Sequence, residues 1–189
     1  MINLNRLYDE KNLFGFFAQQ LSYPEKLTYH PSVFEESIDS SHPVYPDINE
    51  YWQRMHDYSM DEIREMYTNT FDFQKETTLF MTHVKFGDSK ERGQMLARLK
   101  VLYEMFGLSM PKGELSDYLP LMCEFIYAAD WRGDSRADES FSLLLAVLED
   151  GSYHLMKALE EHNSPYFYLI RAMRDVFKMC IRQEVQNNG

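Results

Sequence analysis

Apolar residues recur at helical spacing from Leu13 almost to the end of the chain, and no strand pair with a hairpin turn appears anywhere. Leu13, Phe14, Phe17 and Leu21 share one helix face, and that helix must end before Pro24, because proline removes a backbone donor and clashes with the preceding turn. Residues 24–46 hold four prolines, leaving room for a short helix around Val33 to Ile38. Asp47 can cap a helix carrying Ile48, Tyr51, Trp52 and Met55, and another covers Met60 to Phe71.

The next helix is expected to open at Gly87-Asp88, with Asp88 as cap and Glu91 as its reciprocal partner, and to end at Gly107. The spacing from Tyr118 to Ala129 predicts a further helix opened by Ser116 or Asp117, with Pro120 tolerated in its first turn. After a polar connection at residues 132–139, Phe141 to Leu148 reads as a buried helix closed near Gly151. Ser152 then caps the next, and Ser164-Pro165 opens the last. The alternation from Thr77 to Thr82 is best absorbed into a helix beside Phe71. The expectation is an all-α, single globular domain over residues 1–189, a bundle of roughly eight or nine helices.

Composition narrows the function. At 189 residues with 44% hydrophobic residues, the chain can bury a substantial core. Its apolar runs fall far short of the ~20 residues a spanning helix needs. The N-terminus has carboxylates where a signal peptide needs apolar residues, so the cytoplasm is expected and membrane insertion is not. Net charge is -11, heaviest in the first two thirds, which disfavours nucleic acid and favours a basic peptide. Cys123 and Cys180 fall within apolar helical patterns; buried thiols are expected, and a disulfide between them stays open.

Reactive chemistry is hard to find. None of the six histidines pairs at metal-binding spacing, and no cysteine completes a zinc set. There is no nucleophile elbow, phosphate loop or dinucleotide fingerprint. Ser89 reads as a helix cap, Arg92 as the partner of Asp88 or of a carboxylate on a neighbouring helix, and His83 as a buried hydrogen-bonding group. Neither metal nor other cofactor is expected. Aromatic and acidic residues instead coincide at Tyr67, Phe71, Asp72, Phe73, Glu114, Asp117 and Tyr118. An amphipathic basic peptide could bury its apolar face on such a surface while its charges meet the carboxylates.

Four strings carry a resemblance: Tyr67 to Phe73 (Y-T-N-T-F-D-F), Leu79 to Gly93 (L-F-M-T-H-V-K-F-G-D-S-K-E-R-G), the Leu96, Leu99, Tyr103 and Gly107 pattern, and Glu114 to Pro120 (E-L-S-D-Y-L-P). The Leu21 to Pro24 turn fits as well. With these the chain resembles the NarJ-type chaperones, or nitrate reductase delta subunits, among the redox-enzyme maturation proteins. The resemblance implies a non-enzymatic cytoplasmic chaperone that binds the immature catalytic (alpha) subunit of membrane-bound respiratory nitrate reductase, including its N-terminal segment. Such a chaperone assists molybdenum-cofactor insertion and assembly, is absent from the finished enzyme, and is a monomer or weak homodimer. The alternative client is another molybdenum oxidoreductase, such as an N-oxide or sulfoxide reductase. The wider family's E-x-P-D-H signature corresponds to Glu114, Ser116, Asp117 and Tyr118, with serine replacing proline, which implies a looser turn. On this reading Asp72, Glu114 and Asp117 form an anionic rim, and Tyr67, Phe71 and Tyr118 an apolar floor.

Overall fold

Helix starts follow the polar and proline side chains that suit a first turn. In the computed structural model, which describes residues 2–181, Asn3 caps α1 (Leu4–Asp9) and α2 (Lys11–Leu21) follows directly. Pro31 opens α3 (Pro31–Ser37), and Pro46 lies in the first turn of α4 (Tyr45–Met55). Ser59 and Glu62 form a reciprocal capping box on α5 (Met60–Phe71). Then come α6 (His83–Phe86), α7 (Lys90–Met105), α8 (Leu119–Ala128), α9 (Ala137–Glu161) and α10 (Tyr166–Met179). The described residues are all-α, with ten helices and no strand. Single β-type bridges join Ile2 to Ile181 and Phe80 to Tyr118.

The core lies where α2 packs along α8 and where α10 packs on α4 and α9. Phe14 and Phe17 of α2, Met122 and Phe125 of α8, Phe141 and Leu148 of α9, and Ile170 and Met173 of α10 are all fully buried. Burying such side chains stabilises by about 1.5–3 kcal/mol each. Cys123 and Cys180 are buried thiols that are not joined to each other.

Several boundaries differ from the sequence reading. Asp47 is not a cap: α4 begins earlier, and the Asp47 carboxylate grips the Arg171 guanidinium of α10. Ser89, not Asp88, caps α7 by accepting from the Arg92 amide, and Gly107 follows its end at φ +86°. The two helices expected on either side of Gly151 are one helix, α9. Gly151 permits contact rather than stopping the helix: a Cβ there would lie 2.5 Å from the Met81 carbonyl oxygen. Ser152, expected as a cap, is buried and accepts from Arg174 at 2.7 Å. Residues 72–82 are irregular rather than helical, and α8 begins at Leu119 rather than at Ser116 or Asp117.

Candidate functional site

The α5 capping box sets the rotation of the helix, so Ile63, Tyr67 and Phe71 fall on its buried face. The Tyr67 hydroxyl donates to the Leu21 carbonyl at 2.7 Å, tying α5 to the end of α2. Its ring meets Tyr23 and Phe71 edge-on, and Phe71 packs in the same way on Tyr166. Beyond the helix end Asp72 and Phe73 face solvent, Phe73 being 76% exposed.

The E-L-S-D-Y-L-P string is held from behind. The Met81 amide donates to the Asp117 carbonyl and the Leu119 amide to the Leu79 carbonyl, so residues 79–81 and 117–119 run side by side. One Asp117 carboxylate oxygen accepts from the Thr82 amide, the Thr82 hydroxyl and Arg92 Nη2, at 3.1, 2.6 and 3.4 Å. Arg92 Nε also donates to the Thr82 hydroxyl, and the third guanidinium nitrogen, Nη1, stands 3.9 Å from Asp88. Ser116 donates to the Leu96 carbonyl, and its own carbonyl accepts from Tyr103 at 2.6 Å. Ser116, expected to loosen the turn, is therefore buried and fixed by two bonds.

These anchors bring Tyr67 and Tyr118 together, their hydroxyls 3.3 Å apart. Tyr67 has committed its one proton to Leu21, so Tyr118 is the donor between them. Burial first, then the bond with Tyr118 and the charges of Asp72 and Glu114, push the Tyr67 phenol far above its usual range. Burial also raises Tyr118, with Glu114 and Asp72 adding to the rise and the Tyr67 bond opposing it. Both phenols stay neutral at physiological pH. Five of the six expected residues thus gather at one place. Asp117 does not join the rim: its side chain is wholly buried, and it supports Tyr118 and Glu114 from inside. His83 is half-buried, with no side-chain hydrogen bond among the described residues.

Outside this cluster a groove of about 400 Å³ opens between α2, α8 and the loop before α8. Tyr118, Pro120 and Leu121 give it apolar wall, and Glu114 and Glu124 give it charge. No metal-binding group of three or more acidic, histidine or cysteine side chains occurs among the described residues.

The family model described as nitrate reductase delta subunit matches residues 40–171, which include all four of the strings that carry the resemblance and the helices that hold them. The chain belongs to the nitrate reductase delta subunit family. A probable nitrate reductase molybdenum cofactor assembly chaperone NarJ of Bacillus subtilis is 29% identical over 170 residues, covering 87% of this chain and 88% of that protein. The nitrate reductase molybdenum cofactor assembly chaperone NarJ of Escherichia coli K12 is 34% identical over 65 residues, 34% of this chain and 28% of the relative. A nitrate reductase-like protein NarX of Mycobacterium tuberculosis is 28% identical over 107 residues, which is 57% of this chain and 15% of that protein.

For this member of the family, sequence reasoning overlooked Glu124, Gln19 and Tyr127 as groove residues. One signal was present: Glu124 is the single charged residue in the apolar run of α8, L-P-L-M-C-E-F-I-Y-A, and it is exposed. Tyr127 carried none, because its place at the surface depends on Gly15 across the interface between α2 and α8.

Proposed function

We propose that the protein is a non-catalytic assembly chaperone for a respiratory nitrate reductase. It binds the immature catalytic (alpha) subunit, including its N-terminal segment, in the cytoplasm. It keeps that subunit open for molybdenum-cofactor insertion and is not part of the finished enzyme. The observation that carries this reading is the groove beside Tyr118, apolar in its walls and edged by Glu114 and Glu124. Family membership supports the choice of client, and no helix among the described residues is long and apolar enough to cross a membrane. Asp72, Glu114 and Tyr118 meet the client, Tyr67 and Phe71 form the floor beneath, and Asp117 acts by holding the loop.

Binding of this kind needs no nucleotide. A groove that prefers an unfolded basic segment to the folded subunit releases its client when folding withdraws that segment, so differential affinity is the whole mechanism. Deleting the gene and measuring reductase protein, activity and molybdenum content tests it. The expected result is abundant reductase with little cofactor. Normal cofactor loading in the deletion strain would remove the assignment.

A further inference from the structure

The groove at Tyr118 continues past Tyr127. A second depression of about 430 Å³ shares Gly15, Gln19 and Tyr127 with it and ends at Glu36 on α3. The join is made by Gly15, where a Cβ would stand 2.9 Å from the Tyr127 ring. Without that Cβ the ring lies down on the α2 backbone as a low apolar saddle, still 46% exposed. The floor follows α2 from Asn12 to Ser22, ten helical steps or about 15 Å.

Charge along this trough has one sign. Glu114 and Glu124 lie on one side of the saddle and Glu36 on the other, and the described lining includes no lysine, arginine or histidine. None of the three carboxylates makes an ion pair among the described residues, although ten pairs between a lysine or arginine and a carboxylate occur elsewhere among them. A surface that already balanced its own charges would offer a cationic ligand little. This one leaves three carboxylates unmatched beside apolar wall.

We propose that the whole trough, from Tyr118 to Glu36, is one docking site for an amphipathic basic segment. Glu36, Glu124 and Tyr127 set its register and specificity. The inference rests on the client-binding reading given above and adds that the contact extends over the saddle to α3. A helical segment of about ten residues spans the floor, its apolar side on Tyr127 and its cations facing Glu36 at one end and Glu114 at the other.

The test measures the affinity of the full chain for a synthetic peptide of the catalytic subunit's N-terminal segment, and for versions shortened by about five residues, half the span of the floor, from either end. Glu36→Gln and Glu124→Gln are each expected to weaken the full-length peptide about two- to five-fold at low salt, with the difference vanishing at high salt. Tyr127→Ala is expected to weaken it about tenfold. Sensitivity to Glu36→Gln should disappear with one of the shortened peptides while sensitivity to Glu114→Gln remains. If Glu114→Gln and Tyr118→Ala weaken binding but the Glu36 and Tyr127 variants do not, the extension is wrong and the client-binding reading stands. A wild-type chain that binds none of the peptides overturns both.

Discussion

A single carboxylate oxygen of Asp117 accepts from both the amide and the hydroxyl of Thr82, although 35 residues separate the two in the chain. The bonds join the D-Y-L-P turn to the segment before α6, and Arg92 adds the anchor to α7. The Asp117 charge is thus spent inside the protein. Asp117→Asn keeps an acceptor for Thr82 but loses the ionic part, and is expected to lower unfolding free energy by about 1–3 kcal/mol. Asp117→Ala leaves Arg92 and Thr82 without their partner and should cost about 3–5 kcal/mol. Denaturant titration checks both. Peptide affinity provides the contrast: Glu114→Gln should flatten its salt dependence, whereas Asp117→Asn, if still folded, should leave that dependence unchanged.

Three helical glycines should respond to alanine with three different outcomes. Gly93 on α7 has open space where a Cβ would go, so Gly93→Ala is expected to stabilise by about 0.5–1 kcal/mol through helix propensity alone. At Gly15 the obstacle is the Tyr127 ring, which is exposed enough to swing aside. Gly15→Ala should therefore change stability little while weakening peptide binding. At Gly151 the obstacle is backbone, the Met81 carbonyl at 2.5 Å. Overpacking there outweighs the propensity gain, and a net loss of about 1–2 kcal/mol is expected. Melting curves for the three variants, with peptide titrations for Gly15→Ala, read out the series.

The same glycines mark how far the sequence could be read. The extent of helix α5 was legible from the helical spacing of Ile63, Met66, Tyr67 and Thr70, whereas its Ser59–Glu62 capping box and the irregular stretch after Phe71 were not read. Gly151-Ser152 has the composition of a helix end and a cap, and only the fold shows the glycine admitting a neighbouring backbone and the serine meeting Arg174. Asp117 and Glu114 lie three residues apart in one string, and nothing local says which carboxylate turns inward. That depends on Thr82 and Arg92, which reach Asp117 through tertiary structure. The trough was overlooked for the same reason, since its halves come from α2, α3 and α8.

Alkaline pH should unfold the protein through its buried phenols and thiols. Burial raises Tyr51, Tyr166 and Tyr103, and it pushes Cys180 up to about 11 from an ordinary 9.0. Each of these groups holds its proton more tightly when folded. Its contribution is complete below the unfolded pKa and is lost as pH rises toward the folded value. Stability should therefore begin to fall near pH 9, where unfolded thiols ionise, and fall more steeply above about pH 10, where unfolded tyrosines follow. Denaturant midpoints taken from neutral pH upward, with tyrosinate absorbance as a second probe, test the profile. Cys180→Ala should make the fall from about pH 9 to 11 shallower without abolishing it, because burial also raises the Cys123 thiol, which stays in place.

Tyr67 and Tyr118 share a hydrogen bond, yet removing either hydroxyl should not have the same effect. The Tyr67 hydroxyl serves the Leu21 carbonyl at a buried helix end, where no water replaces it. Tyr67→Phe strands that carbonyl and also takes the acceptor from Tyr118, so a loss of about 1–2 kcal/mol is expected. The Tyr118 side chain is half-buried at the groove edge, and Tyr118→Phe leaves Tyr67 still bonded to Leu21. Its stability cost should be under about 0.5 kcal/mol. Peptide affinity should reverse the order. Tyr118→Ala, which removes a groove wall, is expected to weaken binding more than Tyr67→Phe does. Equal effects of the two substitutions on affinity would mean that Tyr118 belongs to the support of the site and not to its surface.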